Sequence, residues 1–142
     1  MGAIRFFHQD ISFKVAAPIK TRKWLREVIR SENRQLLNLN YIFCSDAYLL
    51  SINQQYLNHN TLTDIITFDN KEEQDEIESD IFISIDRVRE NADKLKVEFD
   101  QELHRVLVHG VLHLCGYKDK TPAQRSAMRK REDAYLSLRC ES

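Results

Sequence analysis

QELHRVLVHGVLHLCGYKD, residues 101–119, runs apolar residues at helical spacing through two histidines and then meets a glycine. At about 100° per residue, His109 and His113 leave the same helix face within roughly one turn of each other, so two imidazoles can reach one ion. Gly116 stands where a helix C-cap glycine would. Its freedom at positive φ lets the chain double back through Tyr117 and Lys118 and return Asp119 toward the histidines. Two neutral imidazoles and one carboxylate make an N,N,O set suited to one divalent metal ion, zinc first, with an open fourth position for water or substrate. The plain alternative is a chance histidine pair in a core helix. Cys115, about 200° around the helix from His113, faces elsewhere and reads as a buried thiol. His104, about 140° from His109, is left out of the set, while His8 and His59 lie in distant segments.

Outward from this helix, AIRFFHQ at 3–9 reads as a first strand, and Pro18 opens a helix to about Arg34 with Trp24, Leu25, Val28 and Ile29 on one face. NYIFC at 40–44 reads as a second strand, followed by a short helix from about Ala47 to Leu57. DIITF at 64–68 and DIFISI at 80–85 are β-branched and aromatic, and the acidic stretch Glu72 to Glu78 separates them as a solvated loop between paired strands. From Asp86 the pattern is helical to the end, with Thr121-Pro122 opening the last helix. This order predicts a single α+β domain over 1–142, a small mixed sheet of about four strands covered by helices.

Composition sets the limits. With 142 residues there is room for one core, and three Gly with two Pro leave little for a linker. Twenty-one basic residues against twenty-two acidic ones give a net charge of −1, so any nucleic-acid binding must use a local patch. There is no apolar run of membrane-spanning length and no leader-like N-terminus, which predicts a cytoplasmic protein with no membrane partner. Cys44, Cys115 and Cys140 are odd in number and lack CxxC spacing, which predicts reduced thiols.

HGVLHLCGYKD resembles the signature of the YbeY family of bacterial rRNA maturation factors, single-strand-specific endoribonucleases with a zincin-like metal-binding helix. The resemblance extends through INQQYLNHNTLTDIITF and SDIFIS, covering roughly residues 50 to 128 in the right order. It implies a zinc-dependent endoribonuclease acting in rRNA maturation and ribosome quality control, with His109, His113 and Asp119 as ligands. Its partners would be ribosomal RNA or ribosomal particles and single-stranded RNA, not DNA. The usual third ligand of the family is a histidine where this chain has Asp119. The family's arginine after the tyrosine, associated with the substrate phosphate, is Leu57 here. His59, Lys71 and the basic residues of the first helix stand as substitutes. Asn60, Leu62 and Ser79 also differ from the family's aspartate, proline and glycine.

A protease of the H-E-x-x-H kind needs a glutamate where this chain has Gly110, which disfavours peptide hydrolysis. Glycine inside a helix costs about 1 kcal/mol relative to alanine, and so points to close approach by a strand or by substrate. For RNA, Arg22, Arg26 and Arg30 form an i, i+4, i+8 stripe that could hold phosphates, although a solvated face explains it as well. Arg125, Arg129, Lys130 and Arg131 form a second basic cluster with the same alternative, and Met128 opposite them reads as core. Asp64 and Asp80 open the two strands and either support the cleft or cap strand ends. Two other functions compete: a non-catalytic, metal-stabilised ribosome assembly factor, and a metal-dependent hydrolase of another substrate.

Overall fold

Apolar residues alternate along two long strands, and helices cover both faces of the sheet they build. In the computed structural model, residues 2–57 and 63–141 are described. Their elements are β1 (Ala3–His8), α1 (Pro18–Ser31), β2 (Gln35–Cys44), α2 (Asp46–Leu57), β3 (Ile65–Asp69), β4 (Glu76–Ser84), α3 (Ile85–Leu95), α4 (Phe99–Leu114) and α5 (Pro122–Glu141). The sheet order is β1-β2-β4-β3, with β1, β2 and β4 parallel and β3 antiparallel to β4 at the edge. This is one α+β domain with a four-stranded mixed sheet and five helices, as the element order predicts. No helix among the described residues is long and apolar enough to cross a membrane.

The period of two decides which side chains meet α4. Leu39, Tyr41 and Phe43 of β2 and Ile77, Ile81 and Ile83 of β4 point into the main core, where they join Leu25, Val28 and Ile29 of α1 and Leu103, Leu107 and Val111 of α4. Two buried hydrogen bonds fix this layer: Tyr41 Oη donates to the Leu107 carbonyl at 2.9 Å, and Trp24 Nε1 to the Tyr135 carbonyl at 2.8 Å. On the other face Phe82, Cys44 and Ile66 meet Leu49 and Ile52 of α2 in a smaller cluster. Met128 is buried, as its spacing predicts. Cys44 and Cys115 are buried free thiols, and burial pushes Cys44 up to about 12; the Cys140 side chain lies outside those described.

Two strands are longer than their sequence patterns suggest. β2 begins at Gln35 and β4 at Glu76, because Gln35–Leu39 runs parallel to Glu76–Ser79. Backbone pairing there outweighs the acidic composition, and Glu76 and Glu78 remain only partly buried while Ile77 and Ser79 turn inward. Asp80 consequently sits mid-strand, not at a strand start, where its Oδ1 accepts from Asn40 Nδ2 at 3.0 Å.

Gly110 is buried where α4 lies on the sheet. A Cβ at this position would meet Ile81 Cδ1 at 3.0 Å and Ile65 Cδ1 at 3.1 Å, so the close approach is made by strand side chains. Ile81 has no exposed surface beneath the helix. Truncating it should leave a cavity directly under the histidine turn. We expect Ile81→Ala to cost about 3 kcal/mol in urea unfolding with the slope unchanged; a loss under about 1 kcal/mol would mean that α4 does not rest on this side chain.

Candidate functional site

Helix α4 ends in a Schellman turn. The Tyr117 amide donates to the Leu112 carbonyl at 3.1 Å and the Gly116 amide to the His113 carbonyl at 3.1 Å, with Gly116 at φ 102°. Two cations meet the remaining carbonyls: Arg34 Nη2 donates to Cys115 O at 2.7 Å and Lys71 Nζ to Leu114 O at 3.2 Å. Both sit at the negative end of the helix dipole. Tyr117 is tied back by its hydroxyl, which donates to Glu32 Oε1 at 2.9 Å, while the Tyr135 hydroxyl donates to the other oxygen of the same carboxylate. The loop therefore returns Asp119 over α4, as the glycine predicts.

His109 is the centre of the resulting arrangement. Its Nδ1 lies 2.7 Å from Glu132 Oε2 of α5, and its Nε2 lies 3.4 Å from Asp119 Oδ2. Glu132 is almost fully buried and shared with Arg105, whose Nη1 reaches Glu132 Oε1 at 2.9 Å while Nη2 reaches Asp133 Oδ1 at 2.7 Å. Burial opposes charge on His109, but its hydrogen bond to Glu132 and the charges of Glu132, Asp119 and Asp64 outweigh that, and its pKa is raised. Asp64 is itself raised, chiefly by burial, with His109 acting in the opposite sense. Burial likewise raises Glu102, whose neighbouring Arg105 and Arg129 pull it down.

Two cavities open onto this imidazole. One of about 220 Å³ lies between β3 and α4, lined by Thr63, Asp64 and Thr67 on one side and by His109, His113 and Asp119 on the other. A second of about 320 Å³ lies between α4 and α5, where Glu102, Arg105, Arg125, Arg129 and Glu132 join Asp64, His109 and Asp119. The three shared residues make them one continuous cleft. The three residues singled out from sequence thus line the same space, yet they are not equally joined: Asp119 pairs with His109, whereas His113 is exposed one turn further on. Among the described residues no three His, Cys, Asp or Glu side chains converge closely enough to cage an ion. The donor set itself fits a divalent cation, two imidazoles and a carboxylate around solvent-accessible space, with Glu132 holding one imidazole as an outer carboxylate does at metal sites.

Other residues singled out from sequence lie elsewhere or have other partners. Arg22 Nε donates to the Ile4 carbonyl at 3.0 Å with its guanidinium over Phe6, Arg26 Nη1 donates to Gly2 O at 2.9 Å, and Arg30 pairs with Glu27. Arg22 and Arg26 therefore fasten the N-terminal strand, Arg30 pairs within α1, and none of the three lines the cleft. Lys71 is engaged at the end of α4, Leu57 is the exposed last residue of α2, and His59, Asn60 and Leu62 lie outside the described residues. Ser79 is buried in β4, its hydroxyl donating to Phe68 O at 2.7 Å. His104 stacks edge-on to Trp24 with centroids 5.7 Å apart. Glu132, which no sequence spacing marks, is the partner that reading missed; it lies 23 residues from His109 and is joined to it only by the packing of α5 on α4.

Known proteins of one family resemble this chain over most of its length. A family model described as Endoribonuclease YbeY matches residues 7–138. The chain is 55% identical over 132 residues to an Endoribonuclease YbeY of Flavobacterium psychrophilum, covering 93% of this chain and 94% of the relative. It is 52% identical over 136 residues to the Endoribonuclease YbeY of Cytophaga hutchinsonii, covering 96% and 95%. A Thermotoga maritima protein with a known solution structure superposes with a TM-score of 0.71 at 26% identity, covering 96% of this chain and 89% of that one.

The raised pKa of His109 has a definite sign in the metal-free protein. A histidine whose pKa is higher folded than unfolded adds stability below its unfolded value of about 6.5, and that stability is lost as pH rises through the folded value. In chelator-treated protein, wild type should exceed His109→Gln in stability most clearly below about pH 6.5, with the gap narrowing at higher pH. A gap that widens with pH, read from urea midpoints across the range, would reverse the assignment.

Proposed function

The chain belongs to the YbeY family, and we propose that it is a zinc-dependent endoribonuclease that cuts single-stranded RNA in rRNA maturation and ribosome quality control. The observation that carries this reading is the single solvent-open cleft onto which His109, His113 and Asp119 all face. These three would hold one Zn²⁺. An ion held there supplies a Lewis acid for a phosphoryl oxygen and water activated near neutral pH. The rest falls to the protein's own side chains. Glu132, accepting from Nδ1, fixes the tautomer that presents Nε2 to the cleft, and Arg105 holds Glu132 in turn. Asp64 lines both halves of the cleft, and it would orient the attacking water and accept its proton. With Gly110 following His109 in sequence, α4 lacks the glutamate of the H-E-x-x-H pattern, which sets the site apart from a peptide hydrolase of that type. The ligand imidazoles must be neutral, so loading should weaken as pH falls and His109 takes a proton.

The alternative, a non-catalytic ribosome assembly factor in which metal fixes the last loop, draws on the exposed position of His113 away from the His109–Asp119 pair. Purified protein should contain roughly one zinc per chain, and chelation should abolish cleavage of an unstructured fluorescent RNA. His109→Ala should lower that cleavage by at least about 100-fold. Equal activity in His109→Ala would trace the cleavage to a contaminant and remove the enzymatic reading. Full zinc loading without cleavage, together with co-sedimentation with ribosomal particles, would favour the assembly factor.

A further inference from the structure

We propose that Arg125 and Arg129 of α5 form a phosphate-binding wall that seats the backbone of single-stranded RNA beside His109. The inference rests on the endoribonuclease reading and adds the residues that would hold its substrate. Both residues line the α4–α5 half of the cleft, which shares Asp64, His109 and Asp119 with the half facing β3. They stand four residues apart on one helix, hence about one 5.4 Å turn along its axis, a spacing that lets neighbouring phosphates of a strand meet one arginine each.

Their availability distinguishes them from the other arginines. Arg105 in the same cleft is engaged by Glu132 and Asp133, Arg34 by the Cys115 carbonyl, and Arg131 by Glu32 at 3.9 Å while lying over Tyr117. Arg129, by contrast, is exposed and makes no ion pair among the described residues. Arg125 donates one Nη1 bond to the Lys120 carbonyl at 3.0 Å, leaving the second arm of its fork for a ligand.

The first turn of α5 offers little to a phosphate through its amides, since Pro122 has no N–H and the Gln124 amide is engaged. The Gln124 amide donates to Thr121 Oγ1 at 3.1 Å, and the Gln124 side chain accepts from the Lys120 and Thr121 amides at 3.0 and 3.1 Å. With this capping box closed, the side chains of Arg125 and Arg129 are the main groups an anion meets at that end of the cleft. The deep lining is acidic, through Asp64, Glu102 and Glu132, so a polyanion needs cations at the mouth to approach. Two planar forks supply them with bidentate geometry for phosphate.

The test is anisotropy of a labelled oligouridylate with chelator-treated protein over a salt series, alongside steady-state cleavage by the zinc form. Arg125→Ala/Arg129→Ala should weaken binding about 10- to 100-fold and make the plot of log K against log salt shallower by about 1.4, with a parallel rise in KM and an unchanged melting temperature. Lys20→Gln/Lys130→Gln removes the same net charge outside the cleft and should change affinity by less than about threefold. Arg125→Lys/Arg129→Lys should keep the slope and lose part of the affinity, separating charge from fork geometry. An affinity and slope for the alanine pair equal to those of the lysine control would overturn the proposal. RNA cleavage by wild type with an unaffected alanine pair would remove the wall and leave the nuclease. Loss of binding in the alanine pair, with no cleavage by wild type, would remove the nuclease and leave the wall.

Discussion

The seat of α4 on the sheet is the contact from which the site follows. At Gly110 the helix backbone comes within side-chain reach of Ile81 and Ile65, and a Cβ there would press on both methyl ends. A side chain there would require the two isoleucine ends to give way by a few tenths of an ångström beneath the turn that carries His109, opposite Asp64 just before β3. The neighbouring histidine is thus placed by the residue beside it that has no side chain, and the same seat settles the register between the ladder of isoleucines and the polar face of α4. About 1 kcal/mol of helix propensity given up at this position is small beside the burial it permits on either side.

What was legible in the sequence was whatever is local. The helical period of 101–114, the glycine at 116 and the return of Asp119 all follow from backbone preferences within one stretch, and the fold has them. The strand-helix order gave the layers for the same reason. The N-terminal half of β2 and the start of β4 were not legible, because Gln35 and Glu76 become strand by pairing with each other across some forty residues. Glu132 is a sharper case: its neighbours Arg131 and Asp133 are equally charged, and burial against α4 alone singles it out. Charge patterning is silent in a related way. Three regularly spaced arginines on α1 are open to a phosphate surface or a solvated face, and two of them donate to backbone carbonyls near the N-terminus. A stripe shows which face side chains share and says nothing of what they meet.

The electrostatics of the cleft hold opposing demands in balance. Four carboxylates, Asp64, Glu102, Asp119 and Glu132, crowd one imidazole and the partly buried guanidinium of Arg105. Their mutual repulsion and their burial both disfavour full ionisation, and the raised values of Asp64 and Glu102 express that cost. Such a site draws cations strongly and tolerates loss of a positive partner poorly, since a buried carboxylate left alone costs far more than the pair contributes. Arg105 is the partner that keeps the lining tolerable while leaving the mouth open.

Glu32, at the end of α1, takes one hydroxyl from the loop that carries Asp119 and another from α5, one carboxylate oxygen for each. Those two hydrogen bonds couple the loop and the helix mechanically. Through Tyr135, whose backbone carbonyl also accepts from Trp24, this tie reaches the main core. The carboxylate is thus a shared anchor: the loop that presents Asp119 and the helix that presents Glu132 are referenced to one point on α1 instead of to each other.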